Sequence, residues 1–284
     1  MEEKVSRWVK FKRYLKRTLT PTWASHFGYQ CFAFIVSVLM IIGVADYAIT
    51  KTYDQIELSF TDDFTVTSLS GAYNTDMNSL EFVKTAINNN AQIIELDIRQ
   101  RPDDTVVMSN EIVVTNNEGV PFEDVAKLLE NANVRLNLDI KETRVLDNLY
   151  IILEKYNLVE RTFLTGIETI NVKAVKESAC ADMEYYLNYM PSRVRVFFDE
   201  YREKLIDLLD ETGAVGINCN YKYAGAQLSS LLHKNGYKLS VWNVNSERKI
   251  NKMLAIKPNN LGTKKPEMVK KVIENWGNKN TKKS

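Results

Sequence analysis

Ile93-Ile94-Glu95-Leu96-Asp97-Ile98-Arg99 is the stretch that decides the fold: an apolar run interrupted by two acids at i and i+2. Alternate strand residues share a face, so Glu95 and Asp97 project together into one space. Packing alone does not call for that, because neighbouring carboxylates repel and each costs about several kcal/mol to desolvate unless something positive compensates. A divalent cation is the simplest compensator. An edge strand with both acids in solvent is the alternative reading.

Outward from this stretch, short β-branched runs alternate with longer amphipathic ones. The pattern predicts strands over 64–68, 92–98, 134–139, 162–165, 183–188, 215–218, 238–244 and 260–262. Helices are expected over 80–89, 122–129, 145–156, 170–178, 194–209, 228–234, 247–254 and 267–275, with Gly213 and Gly236 where helices end. Eight strands each followed by a helix is the count of an α/β (β/α)8 TIM barrel; an open doubly wound sheet is the runner-up. In such a barrel the chemistry sits at the C-terminal ends of the strands. Those ends carry Glu95 and Asp97, Asp139 with Lys141 beyond it, Asn218 and Asn220, then Trp242, Asn243 and Asn245. Oxygen ligands of this kind suit Mg2+ or Ca2+ rather than zinc. For each asparagine, and for Lys141, an ordinary loop role is the competing reading.

The 284 residues, 45% hydrophobic, suffice for one large domain plus an anchor. The net charge of +1 is unevenly spread: residues 1–30 carry seven Lys/Arg against Glu2 and Glu3, leaving 30 basic against 34 acidic residues elsewhere. A charge so localised does not imply nucleic acid as a partner. It runs into Phe27–Ala45, nineteen residues without an ionisable side chain, close to the length that crosses a hydrocarbon core of about 30 Å. A retained transmembrane helix is expected rather than a cleaved signal peptide, whose apolar region is shorter and ends in a small-residue cleavage site. The basic flank predicts a single-pass protein of the cell membrane, its N-terminus cytoplasmic and its barrel extracytoplasmic. The expected organisation is thus a cytoplasmic basic segment at 1–26, the span at 27–45, a linker at 46–63, the barrel at 64–275 and a disordered tail at 276–284. Val5, Trp8, Val9 and Leu15 among the early basic residues suggest an interfacial helix, with a solvated tail as the alternative.

From about Thr65 to Met268 the sequence resembles the glycerophosphodiester phosphodiesterase family of (β/α)8 barrels. That family opens with His-Arg-Gly, then Glu-Asn-Thr, Glu-x-Asp on strand two, His-Asp after it and Glu-x-Lys on strand three. This chain reads Leu69-Ser70-Gly71, Met77-Asn78-Ser79, Glu95-Leu96-Asp97, Ser109-Asn110 and Asp139-Ile140-Lys141 in the same order. Val241-Trp242-Asn243-Val244-Asn245 and Gly262-Thr263-Lys264-Lys265-Pro266 stand where the family has its closing motifs. The resemblance implies a metal site at Glu95, Asp97 and Asp139, and a substrate-binding role for Lys141 and Trp242. The implied ligand is a phosphodiester or a glycerol-like molecule.

The departures carry as much weight. In the family two histidines act as general acid and base and an arginine stabilises phosphate charge; Leu69, Ser109 and Ser70 stand at those positions, and Met77 replaces one carboxylate. Composition says the same independently, because the chain has only two histidines: His26, beside the apolar stretch, and His233, on the helix feeding strand seven and hence at the opposite rim. Each missing acid or base typically contributes about 10²–10⁴-fold. Metal binding is therefore expected to be weak or absent, with Lys141 able to take over the compensating role. The expected function is a catalytically impaired pseudoenzyme of lipid metabolism that binds a ligand or an envelope protein partner. The alternative is an active metal-dependent phosphodiesterase with an altered mechanism. Cys180 and Cys219 fall at opposite rims, roughly 17 Å apart along a strand, beyond the reach of about 7 Å that a disulfide tolerates. No bridge is expected, and Cys219 is expected as a free thiol near the pocket mouth.

Overall fold

The computed structural model describes residues 8, 9, 12, 20–53 and 57–276. Of the interfacial helix expected among the early basic residues, Trp8, Val9 and Lys12 are described and helical and the others lie outside that set, as does the expected disordered tail 276–284 apart from Trp276. The chain divides into two units, Met1–Thr52 and Tyr53–Ser284.

The first unit is built on α1, Pro21–Thr52. Pro21 opens it where a missing N–H costs nothing, and Thr20 caps it by accepting the Trp23 N–H at 3.2 Å. The apolar part runs over Pro21–Ala45, long and apolar enough to cross a membrane. Thirty-two residues rise about 48 Å, so the helix exceeds the nineteen-residue apolar core at both ends. His26 lies within it. Ser37 is the one hydroxyl in the middle of the apolar stretch, and its Oγ donates to the Ala33 carbonyl at 2.8 Å, satisfying it inside the helix.

The second unit is a closed barrel. Its parallel strands are β1 (Thr65–Ser68), β2 (Ile93–Gln100), β5 (Arg135–Ile140), β6 (Thr162–Ile167), β7 (Tyr185–Asn188), β8 (Gly216–Asn220), β9 (Lys238–Trp242) and β10 (Asn260–Thr263). Each pairs with the next, and β1 closes the ring by pairing with both β10 and β2. Around them lie α2 (Leu80–Asn88), α3 (Phe122–Leu129), α4 (Leu146–Lys155), α5 (Val172–Lys176), α6 (Asp199–Thr212), α7 (Ala226–Lys234), α8 (Glu247–Ala255) and α9 (Pro266–Glu274). Outward-facing strand residues such as Ile94, Leu96 and Ile98 are fully buried against this helix layer.

The structure departs from the sequence reading at the loops. β3 (Val106–Met108) and β4 (Val120–Pro121) form an antiparallel extension on the C-terminal half of β2, two strands too short to announce themselves by periodicity. β9 stops at Trp242 because Asn243 turns left-handed, with φ 60°. α6 starts only at Asp199; residues 189–198 form an irregular loop with one 3-10 turn, Arg195–Phe197.

Inside the barrel, the N-terminal end is plugged by Ile93, Phe163 and Tyr186, the two rings meeting edge-on at 5.4 Å. Above this plug the interior is polar, where barrels are usually filled by branched apolar residues. Thr67 donates to Asn260 Oδ1 at 2.8 Å, Asn260 to Ser240 Oγ at 3.0 Å, Thr165 to Asn137 Oδ1 at 2.7 Å and Asn218 to Asn188 Oδ1 at 2.9 Å. These inward amides and hydroxyls satisfy one another across neighbouring strands, which offsets the cost of burying them.

Candidate functional site

The polar interior opens at the C-terminal ends of the strands into a cavity of about 770 Å³. Its floor is built by register. β2 and β5 pair Glu95 with Asn137 and Asp97 with Asp139, so two strands distant in the chain bring three carboxylates together. One oxygen from each of Glu95, Asp97 and Asp139 lies within 4.8 Å of the others.

Each acid is held differently. Glu95 Oε2 accepts the Ser70 N–H at 2.8 Å. Asp97 Oδ2 accepts from Asn78 Nδ2 at 2.8 Å, while Asn78 Oδ1 accepts the Asp97 N–H at 3.1 Å. Asn78 reaches back this way because it sits left-handed, φ 51°, one residue before Ser79 caps α2 by accepting the Phe82 N–H. Lys141 Nζ bridges the remaining oxygens, 2.7 Å from Asp97 Oδ1 and 2.7 Å from Asp139 Oδ2. Gly166 on β6, at φ 77°, leaves the space that Asp139 occupies: a Cβ there would collide with Asp139 Oδ1 and the Ile140 carbonyl.

Three carboxylates and one ammonium leave an excess of negative charge, and the proton affinities show where it falls. Burial, reinforced by repulsion from Asp97 and Asp139, pushes the Glu95 carboxyl up to about 8 against the opposing Ser70 hydrogen bond and Lys141. Burial also raises Asp139, although Lys141 opposes it. Burial by itself would lower the Lys141 ammonium, but Asp139 and Asp97 outweigh it and hold it above its usual range. Lys141 thus compensates Asp97 and Asp139, and Glu95 is the one of the three acids that the ammonium does not bridge. A hard cation also fits the donor set, because Ca2+ takes oxygen ligands at about 2.3–2.6 Å and the three carboxylates each offer an oxygen within 4.8 Å of the others. Glu95, Asp97 and Asp139 would hold it.

Among the residues singled out in the sequence, the cavity gathers Glu95, Asp97, Asp139, Lys141, Asn218, Trp242 and Asn243. The indole N–H of Trp242 is buried without a protein partner among the described residues, a donor facing no acceptor of the chain's own. Asn220 and Asn245 are not brought in: Asn220 Oδ1 accepts the Lys222 N–H, and Asn245 Oδ1 accepts from Thr263 at the end of β10 and from the Lys264 N–H just beyond it. Leu69, Ser70 and Met77 line the cavity as their motif positions require. Ser109 turns away to donate to the Glu111 carbonyl, and it is Asn110 that faces the cavity. His233 bonds Asn259, just before β10 begins, and is therefore at the far rim. Cys219 corrects one expectation. It is buried on the outward face of β8, between inward Asn218 and Asn220, and does not reach the pocket mouth. Cys180 and Cys219 are both free. Not anticipated were Asn137, Thr165, Asn188, Ser240 and Asn260, each a polar residue alternating with buried apolar ones on its strand. That alternation, the same signal as in Glu95-Leu96-Asp97, was legible.

No family model matches the chain, and no curated protein matches it in sequence. Solved structures do. A protein assigned as a glycerophosphoryl diester phosphodiesterase from Silicibacter pomeroyi superposes with a TM-score of 0.64 at 13% identity, over 78% of this chain and 96% of that one. A glycerophosphodiester phosphodiesterase from Parabacteroides distasonis gives 0.59 at 17% identity, over 75% and 98%. An Oleispira antarctica phosphodiesterase in complex with the product sn-glycerol-3-phosphate gives 0.59 at 13% identity, over 74% and 96%. The barrel of this chain therefore has the fold of the glycerophosphodiester phosphodiesterases, matched over nearly the whole length of each.

Proposed function

We propose that this protein is a membrane-tethered, degenerate member of the glycerophosphodiester phosphodiesterase family whose barrel recognises a ligand without hydrolysing it. One observation carries the reading. The acidic floor persists as Glu95, Asp97 and Asp139 with Lys141 among them, while Leu69, Ser109 and Ser70 stand at the positions of the family's acid–base and phosphate-stabilising groups. None of these three exchanges a proton near neutral pH or carries positive charge. The ligand is a phosphodiester or glycerol phosphate: Lys141 and a weakly held Ca2+ or Mg2+ on the carboxylates would meet the anionic group, and the Trp242 indole, which lines the cavity, would meet the glycerol face. The bound sn-glycerol-3-phosphate of the Oleispira antarctica protein supports this class of ligand. The apolar α1 is the tether, and the basic residues before it argue for a cytoplasmic N-terminus with the barrel outside. An envelope protein partner is compatible with this placement.

A second reading rests on Glu95, whose carboxyl near 8 is one group in the cavity able to exchange a proton at neutral pH. It would leave a slow, altered phosphodiesterase. Purified full-length protein assayed on glycerophosphocholine with and without Ca2+ or Mg2+ separates the two. The pseudoenzyme reading expects no turnover, together with a thermal upshift by sn-glycerol-3-phosphate. Metal-dependent turnover that vanishes in Glu95→Gln would overturn it.

A further inference from the structure

The large apolar side chains left exposed on the barrel unit are not scattered. Of twelve such residues among those described, only Phe60, Leu128 and Ile151 lie away from the loops at the C-terminal ends of the strands. Six of the other nine, Ile170, Met190, Val194, Phe197, Phe198 and Tyr223, sit on the loops after β6, β7 and β8, three consecutive strands. They form one arc of the rim, and Ile170 and Met190 line the cavity itself. Val194 is 69% exposed and Phe197 and Phe198 are 62% and 61%, more than packing explains for a loop otherwise anchored by buried Val196. A monomeric domain rarely leaves a contiguous apolar patch at the mouth of a cavity without a use for it.

Cations are interleaved with these side chains. Arg193 and Arg195 flank Val194, with Arg195 lying over the Tyr201 ring at 4.8 Å, and Lys222 precedes Tyr223; Arg193, Arg195 and Lys222 are all exposed. Of the acids nearby, Glu111 and Glu118 lie on the other side, on the loop between β3 and β4; Glu168 lies at the edge of the arc, and Asp199 and Glu200, at the start of α6, are paired with Arg202 and Lys204. Bulky apolar tips alternating with Arg and Lys complement an anionic bilayer surface, where the rings enter the headgroup boundary and the cations meet phosphates. The same chain carries α1, and the twelve residues from Tyr53 to Phe64 reach at most about 40 Å, which keeps the barrel within range of any membrane that α1 crosses.

We infer that the arc formed by the β6, β7 and β8 loops docks on an anionic lipid bilayer, so that the cavity opens onto the headgroup layer. This rests on the reading of α1 as a membrane span. It narrows the ligand to headgroup-bearing lipids or their products near the bilayer surface.

Hydrogen exchange of the full-length protein in nanodiscs tests it. In discs with 30% phosphatidylserine, residues 190–198 and 221–225 are expected to exchange at least about fivefold more slowly than in pure phosphatidylcholine discs, each near-surface cation contributing about fivefold. Residues 146–155, on the barrel's side, are expected to be unchanged. The double variant Phe197→Ser/Phe198→Ser and the double variant Arg193→Gln/Arg195→Gln should each abolish the difference. Equal exchange in both discs overturns the proposal. A chain that does not enter the discs overturns the span instead. The rim is then decided by adding phosphatidylserine vesicles to that protein: slowing of the same segments supports docking, and unchanged exchange refutes it. Slowing that is independent of lipid charge and appears only with a co-purifying protein would mean a protein partner and also refutes it.

Discussion

Replacing Lys141 by Met probes the centre of the site, because this ammonium is the nearest positive charge to two of the three clustered carboxylates. Nζ lies 2.7 Å from Asp97, whose side chain is 5% exposed, and 2.7 Å from Asp139. Removing one partner of a fully buried ion pair costs about 3–5 kcal/mol. Lys141 keeps 22% of its side chain accessible, and solvent screens part of the loss, so about 2–4 kcal/mol is expected. For a domain of this size each kcal/mol moves the melting temperature by about 2–4 °C, which gives a fall of roughly 5–15 °C at pH 8.5. At pH 5.5 Glu95 holds its proton, which removes one of the negative charges that Lys141 offsets at pH 8.5, so the fall should be smaller. Ca2+ at about 100 times the variant's Kd should return about 2.7 kcal/mol to the variant, and the same concentration should return less to the parent, whose Kd is raised because the cation must compete with the ammonium. Thermal unfolding of full-length protein followed by circular dichroism, at both pH values and with or without Ca2+, measures all three. A fall below about 2 °C at pH 8.5, or equal Ca2+ stabilisation of variant and parent, would refute the view that Lys141 stands in for a cation.

The remaining predictions concern its neighbours. Gly166→Ala should destabilise the barrel by about 1–2 kcal/mol through its left-handed backbone alone, and lower Ca2+ affinity because the new methyl displaces Asp139; urea unfolding and calorimetric titration read the two effects, and a neutral substitution would contradict the packing. Glu95 holds its proton in the folded state up to about 8 against 4.5 when unfolded, so its contribution is fully present below pH 4.5 and is lost as pH rises through 8. Unfolding free energy should therefore decline across that window, Glu95→Gln should flatten the decline, and Ca2+ affinity should rise with pH as binding displaces the proton. Burial pushes the thiols of both Cys180 and Cys219 up to about 12, so neither should react with a thiol reagent at pH 8 until the barrel is unfolded, and rapid labelling of Cys219 would place it at the mouth after all.

Much of this protein is local in origin and therefore legible in its sequence. A two-residue alternation is a property of one strand, so Glu95-Leu96-Asp97 announced a shared acidic face, and eight repetitions of strand and helix announced the barrel. The lack of a usable histidine is a matter of composition, and the long apolar run of α1 a matter of length. Closure of the barrel decided the rest, because it brings together residues far apart in the chain. Only the β2–β5 register sets Asp97 beside Asp139 and hands both to Lys141, leaving Glu95 without a cation and with a raised proton affinity. Asn260 meets Thr67 only because the last strand pairs with the first. Gly166, unremarkable in the sequence, matters through a carboxylate on the neighbouring strand, and the apolar arc exists because three separate loops emerge side by side. Strand identity is encoded in spacing along the chain, whereas charge balance, proton affinity and surface patches depend on distances through space, which the closed barrel alone sets.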